Sequence, residues 1–381
     1  TPRRDVGSGV SAKPEAARAG TTSNGGSEAM RRLDRRQFLG ASGAALAATL
    51  HGAARAGSAA PEALVTRGVV LVPEDLTLGD WPERAKKAGL TTIGLHHQNS
   101  PQAVIDCLRT VAGRRFLERC RQLGLEVEYE LHAIKELLPR DLFARSPELF
   151  RMNEKGERTA DANCCVHSER ALEIIADAAL AIGRALRPTT GRYFYWGDDG
   201  QPWCGCGKCR ELSPAEQALV VENRICRRLR QVDPDAQLAH LAYVNSLAPP
   251  RKVKPEQGVF LEYAPIRRRY DLAFDQQRGP RAAEGLDALD ANLEVFPRHT
   301  AQVLEYWLDV SRFSKWKRPG VKLPWNRDVF LADVAAYRQR GIRHITTFAA
   351  WIDAGYRDRH QDLAFIEEYG RGLLHADGGR K

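Results

Sequence analysis

Several signals are missing from this sequence, and each absence removes a class of protein. No G-x-G-x-x-G turn follows the first strand-like run, where a nucleotide-binding open sheet carries its phosphate loop. No helical stretch rich in Lys and Arg is present to follow a phosphate backbone, which argues against nucleic acid as a partner. Beyond residue 56 no apolar run is long enough to cross a bilayer, and there is neither an internal repeat nor an interior linker. The net charge of +9 also shrinks on inspection: residues 57–381 hold 48 basic and 44 acidic side chains, a mildly basic surface.

What is present begins at Met30 with MRRLDRRQFLGASGAALAATLHGAARA. Its basic head, Ala/Leu-rich middle and small-x-small end at Ala54-Arg55-Ala56 form an export signal. The pair Arg35-Arg36 resembles the twin-arginine address of bacterial proteins exported already folded. The expected division is therefore an upstream non-coding or disordered segment at 1–29, a signal peptide at 30–56, a linker at 57–67 and one domain at 68–375. The mature chain is expected in the periplasm or outside the cell, without membrane contact after cleavage.

From Gly68 onward, short β-branched or apolar runs alternate with helical patterns, the signature of a parallel sheet. Eight strands are predicted: 68–72, 91–96, 125–132, 192–196, 237–244, 258–263, 302–309 and 344–351. Eight strand-helix pairs in one domain predict a (β/α)8 TIM-type barrel, whose active site lies at the C-terminal ends of the strands. Polar and aromatic residues recur at those ends. His96 and His97 close the second, Glu130 and His132 the third, and Trp196 the fourth, with Trp203 in the loop beyond. Tyr263 closes the sixth with Arg267 and Arg268 after it, Trp307 and Asp309 close the seventh, and Trp351 and Asp353 follow the eighth. Such a lining suits sugar rings, and an arginine fork at 267–268 suits a sugar carboxylate or sulfate.

Glycosidic bond cleavage needs a carboxylic acid to protonate the leaving oxygen and a second group facing the anomeric carbon. Asp198 and Asp199, adjacent at the end of the fourth strand, are the first candidates, Asp199 as proton donor and Asp198 as its orienting neighbour. Alternation sends one into the barrel mouth and the other sideways. Glu262 and Glu305 are candidates for the opposing group.

Three cysteines follow at once, Cys204, Cys206 and Cys209, in the glycine-rich run CGCGKC. Zinc takes four ligands at tetrahedral geometry, and Cys165 in the preceding connection is the candidate fourth. A structural zinc and a set of disulfides both remain open, since export favours disulfides while folding before export favours a metal.

The sequence WGDD followed by WCxCxxC, the run Asn163-Cys164-Cys165 and the run Tyr263-Ala264-Pro265-Ile266 together resemble the exported bacterial proteins grouped as domain of unknown function 4838. That family is similar to the family 20 and family 67 glycoside hydrolases, and the resemblance runs from about residue 68 to residue 370. It implies a TIM-like barrel acting on carbohydrate. In family 20 enzymes an Asp orients the substrate acetamido group and the next residue, a Glu, is the acid. The matching positions here are Asp198 and Asp199, the second acid shorter by one methylene, roughly 1.5 Å. The expected function is thus an exported glycosidase acting on an oligosaccharide or polysaccharide, of an acidic or N-acetylated sugar, by carboxylate chemistry with no catalytic cofactor. Two alternatives stand beside it: a carbohydrate-binding barrel without catalysis, and a metal-dependent periplasmic protein that uses the cysteine cluster.

Overall fold

Each of the eight apolar runs forms a strand in the computed structural model, which describes residues Glu62–Ala376. The strands are β1 (Thr66–Leu71), β2 (Thr92–His97), β3 (Glu126–His132), β4 (Arg192–Trp196), β5 (Gln237–Ala242), β6 (Val259–Tyr263), β7 (Gln302–Glu305) and β8 (His344–Phe348). All neighbours pair in parallel, and β8 pairs with β1, which closes the sheet into a TIM barrel. The signal peptide expected at 30–56 and the segment upstream of it fall outside the described residues. Thr66 and Arg67, expected in a linker, already belong to β1.

The helical layer consists of α1 (Trp81–Lys87), α2 (Pro101–Arg109), α3 (Val111–Leu123), α4 (Ile134–Leu137), α5 (Glu169–Ala185), α6 (Pro214–Arg230), α7 (Leu286–Leu293), α8 (Val310–Phe313), α9 (Arg327–Gln339), α10 (Ala354–His360) and α11 (Ala364–Ala376). Local chemistry sets their starts. Ser213 and Glu216 form a reciprocal capping box around Pro214, so α6 begins at a proline whose missing N–H costs nothing there. Gly124, at φ 63°, ends α3 in the left-handed region that glycine enters freely. The regular alternation fails once: between β5 and β6 the chain makes only the short turn Val244–Ser246 and a stretch without regular structure. The run there, Ala248-Pro249-Pro250, cannot supply a helical hydrogen-bond ladder.

The barrel interior is more polar than the usual layers of Val, Ile and Leu. Near its N-terminal end Arg192 donates to Gln302 Oε1 at 3.1 Å, sits 3.7 Å over the Phe260 ring, and lies 3.9 Å from Glu128. Above it stand Glu130 and Glu262, both fully buried. Gly94 has a spatial reason: a Cβ there would meet Glu130 Oε1 at 2.8 Å, so glycine makes room for the carboxyl group. These buried carboxyls form the floor beneath the site.

Candidate active site

Inward-facing residues at the C-terminal ends of the strands line a cavity of about 450 Å³. Trp196, Leu241, Leu304 and Phe348 form its base, His96, His132, Tyr243 and Tyr306 its walls, and Trp351 part of its rim. Asp199 and Asp309 line it as well, from the loops after β4 and β7, and the exposed Glu74 stands at the edge. The size and the mixture of rings with a few polar groups match a small-ligand cleft.

The two adjacent aspartates part company, as alternation demands. Asp199 turns to the cavity, where its Oδ2 accepts a hydrogen bond from Gln98 Nε2 at 2.7 Å and its Oδ1 lies 3.7 Å from His132 Nε2. Asp198 turns sideways and is buried among donors: the amides of Lys135 at 2.8 Å and Asn163 at 2.6 Å, and the Arg140 guanidinium at 3.2 Å. Every one of these contacts lies away from the cavity, so Asp198 holds the loop rather than the ligand.

Two of the histidines have their Nδ1 proton fixed by a backbone carbonyl. His96 Nδ1 lies 2.7 Å from the Glu130 carbonyl and His132 Nδ1 lies 2.6 Å from the Gly197 carbonyl, so each Nδ1 must carry the proton and donate it. Burial pushes His96 down to about 3 and lowers His132 too, against the opposing pull of Asp199. Tyr243 is raised well above the usual phenol range, by burial first and then by the charge of Asp199. Asp309 caps α8: its Oδ1 accepts from the Ser311 hydroxyl at 2.5 Å and the Arg312 amide at 3.1 Å. Burial still raises its pKa, the larger effect of the two.

Glu262 and Glu305 do not reach the cavity. Glu262 lies one layer below, accepting from Trp196 Nε1 at 2.9 Å and Gln302 Nε2 at 3.1 Å, and burial together with Glu128 raises it to about 8. Glu305 points outward from β7 into the helical layer, where it meets Arg268 at 3.1 Å, Tyr270 at 2.8 Å and the Tyr337 hydroxyl. Arg268 is wholly buried in that same cluster, against Asp333, and is not available to a ligand. Trp307 also points outward, donating to Asp333 at 3.1 Å. Tyr263 donates to the Gly285 carbonyl behind β6. Glu130 is sealed in the barrel. Trp203 packs on Gly197 beside the cavity, Arg267 is exposed with its backbone held by Glu284, and Asp353 caps α10 while pairing with Arg318. His96, His97, His132, Trp196, Asp309 and Trp351 do line the cavity.

Tyr243, Tyr306, Phe348, Gln98 and Trp316 also line it and were not singled out from the sequence. Tyr243 follows β5 at the same level as the other strand ends, a signal that position alone carried. Tyr306 was displaced by its neighbour: Leu304 and Tyr306 face in and Glu305 and Trp307 face out, a phase of the β7 pleat that sequence did not specify.

Beside the cavity, Cys165, Cys204, Cys206 and Cys209 bring their sulfurs within 4.8 Å of one another, all buried. Cys165 Sγ stands 3.8 Å from Cys209 Sγ and 3.9 Å from Cys206 Sγ. A tetrahedron of zinc–sulfur bonds at about 2.3 Å has sulfur–sulfur edges of about 3.8 Å, whereas a disulfide requires about 2.05 Å. All eight cysteines are unbridged, and this cluster is able to coordinate a metal ion. The Met152 amide donates to Cys204 Sγ at 3.3 Å and Arg158 approaches it at 3.7 Å, contacts suited to a thiolate.

The model of a family described as domain of unknown function (DUF4838) matches residues 101–300, just over half of the chain. No curated protein matches. Among solved structures, a GH42 β-galactosidase from G. stearothermophilus is 13% identical at a TM-score of 0.51, over 83% of this chain and 57% of that one. A β-N-acetylhexosaminidase from Bacteroides fragilis is 12% identical at 0.46, over 81% and 65%. An exo-β-1,4-mannosidase from an Opitutaceae bacterium is 12% identical at 0.43, over 82% and 60%. The chain thus spans less than two thirds of each of these proteins, and its likeness to the GH42 β-galactosidase is one of fold, a glycoside-hydrolase TIM barrel.

Proposed function

This chain belongs to the family described as domain of unknown function (DUF4838), and on that premise we propose that it is an exported enzyme that cleaves glycosidic bonds. The observation that carries the proposal is the placement of two carboxylates, Asp199 after β4 and Asp309 after β7, on one aromatic-lined cavity. In a closed eight-stranded barrel, strands four and seven stand on well-separated sectors of the mouth, which leaves room for a sugar between them. Asp309, whose pKa burial raises above the usual carboxylate value, takes the general-acid role. Asp199 takes the base or nucleophile role, with Gln98 holding its Oδ2 and Oδ1 turned toward His132. Tyr243 and Trp351, both partly exposed on the cavity, supply surfaces on which a sugar ring can rest.

The cysteine cluster is a structural zinc site in this reading. Its four donors are all sulfur and all buried, which leaves no open position for a metal-bound water. Zinc would contribute folding energy and fix the loop that carries Asp199, and catalysis would need no metal. A twin-arginine leader fits this arrangement, since such a protein acquires its metal in the cytoplasm, where thiols stay reduced, and leaves folded.

Turnover of a panel of aryl glycosides and polysaccharides by the full mature chain tests the proposal. Release of sugar that Asp199→Asn abolishes, with sugar binding retained, is the expected result. A wild-type protein that binds oligosaccharides by calorimetry but releases none from any substrate would establish the alternative, a binding barrel.

A further inference from the structure

The segment Ser311–Arg327, which runs from within α8 through the following loop to the first residue of α9, carries six cationic side chains and no acidic one. Three are already engaged: Arg312 with the carbonyls of Ile266 and Arg268, Arg318 with Asp353 at 2.6 Å, and Lys322 with Asp362 at 3.3 Å. Among the described residues no carboxylate pairs with Lys315 or Lys317, and both are exposed. Between them Trp316 leaves 65% of its surface in water while lining the cavity. An indole so exposed at the edge of a cleft is a surface on which a sugar ring can stack.

The loop is fixed in place from its backbone. Trp316 N donates to the Ser311 carbonyl at 2.8 Å, the Ser314 hydroxyl accepts from Val321 N at 2.9 Å, and Leu323 N donates to Tyr356 Oη at 3.0 Å. Lys315 and Trp316 both sit at φ 54°, a conformation costly for side-chain-bearing residues and one that these anchors maintain. Beyond the loop lies a second cavity of about 350 Å³, lined by Arg318, Trp351 and the exposed Arg359 among others. Arg318 stacks 4.5 Å over Trp351, and these two residues border both cavities. A chain of sugars leaving the first cavity would cross that pair and reach Arg359.

We propose that Lys315, Trp316, Lys317 and Arg359 form an outer subsite for an anionic oligosaccharide, the pyranose stacking on Trp316 and its carboxylate or sulfate group facing the lysines. The inference rests on the carbohydrate reading of the cavity and adds the substrate class. It also moves anion recognition from the buried Arg268 to a loop that a ligand can reach.

Calorimetric titration of the full mature chain with a uronate hexasaccharide, a sulfated galactan hexasaccharide and a neutral cello-hexasaccharide tests it. At least one anionic ligand should bind about tenfold more tightly than the neutral one, and raising salt from about 0.05 M to about 0.5 M should erase that preference. Which anion binds separates carboxylate from sulfate. The double variant Lys315→Glu/Lys317→Glu should lose the preference and keep its affinity for the neutral sugar, and Trp316→Ala should weaken all three ligands. Equal affinities for charged and neutral sugars in the wild type, no binding of any, or an unchanged preference in the double variant would overturn the proposal. Anionic binding without turnover would retire the catalytic reading and leave the subsite. Turnover of neutral glycosides with no anionic preference would do the reverse.

Discussion

Asn163 and Asp198 are tied to each other twice. The Asn163 amide donates to Asp198 Oδ2 at 2.6 Å, and the Asp198 amide donates to Asn163 Oδ1 at 2.9 Å. Asn163 also donates from Nδ2 to the carbonyls of Pro202 at 3.0 Å and Gln201 at 3.3 Å, and it lies two residues before the metal-site Cys165. Through this pair the β3–α5 connection fixes the loop on which Asp199 stands. Replacing Asp198 with Ala removes three hydrogen bonds in a buried place, one of them from the Arg140 guanidinium. The expected loss is about 3–5 kcal/mol of unfolding free energy, measured by urea denaturation. Asp199→Asn, half-exposed and spared those contacts, should change stability by less than about 1 kcal/mol. A reversed order of effects would contradict the division of labour between the two aspartates.

If Asp309 is the acid, its variants should show a leaving-group signature. Asp309→Asn should slow hydrolysis of unactivated glycosides by about 100-fold or more while sparing aryl glycosides with strongly acidic phenols, which leave without protonation. Asp199→Asn should slow both. Rates of the two variants on a series of substituted phenyl glycosides check this, and equal loss across the series for Asp309→Asn would remove it from the acid role.

The barrel was legible because its signal is repeated: eight apolar runs, each followed by turn chemistry, leave few other folds. The site was legible only where the pleat phase was unambiguous. On β4 the sequence Trp196-Gly197-Asp198-Asp199 permits the mouth for one aspartate and the flank for the other, and the structure sends Asp199 to the mouth. On β7 the sequence Leu304-Glu305-Tyr306-Trp307 offers polar and aromatic residues in both phases, and only the partners Arg268 and Asp333 on the outer face decide that Glu305 and Trp307 point away. Depth is equally invisible from sequence. Glu262 faces inward yet sits beneath Trp196, one layer below any ligand.

The cysteine cluster predicts a metal dependence of stability rather than of chemistry. The mature protein purified from a reducing cytoplasm should carry one zinc per chain, and Cys165→Ser should lose it, by elemental analysis. Chelation under mild denaturation should lower the melting temperature by several degrees, with activity per folded molecule unchanged at low temperature. A protein that keeps its melting temperature after the metal is removed would show that the four thiols stabilise the loop unaided.

Stability should fall on both sides of neutrality, by two separate groups of buried residues. His96 and His344 are held down from 6.5 to about 3, in each case by burial first. Between those values the unfolded chain binds protons that the folded one refuses, so stability is lost as pH falls from about 6.5 toward 3, by up to about 1.4 kcal/mol per pH unit for each ring. Glu262 acts in the opposite sense. Its proton is held by the fold up to about 8 against 4.5 when unfolded, so the stability it contributes below pH 4.5 is lost as pH rises toward 8. His344→Gln, which keeps a partner for the Thr66 hydroxyl now 2.8 Å away, should flatten the acid limb of unfolding free energy against pH. Glu262→Gln should flatten the alkaline limb and raise stability at pH 8, and a variant that moved the wrong limb would show that the buried charges of Glu128 and Arg192 control the titration instead.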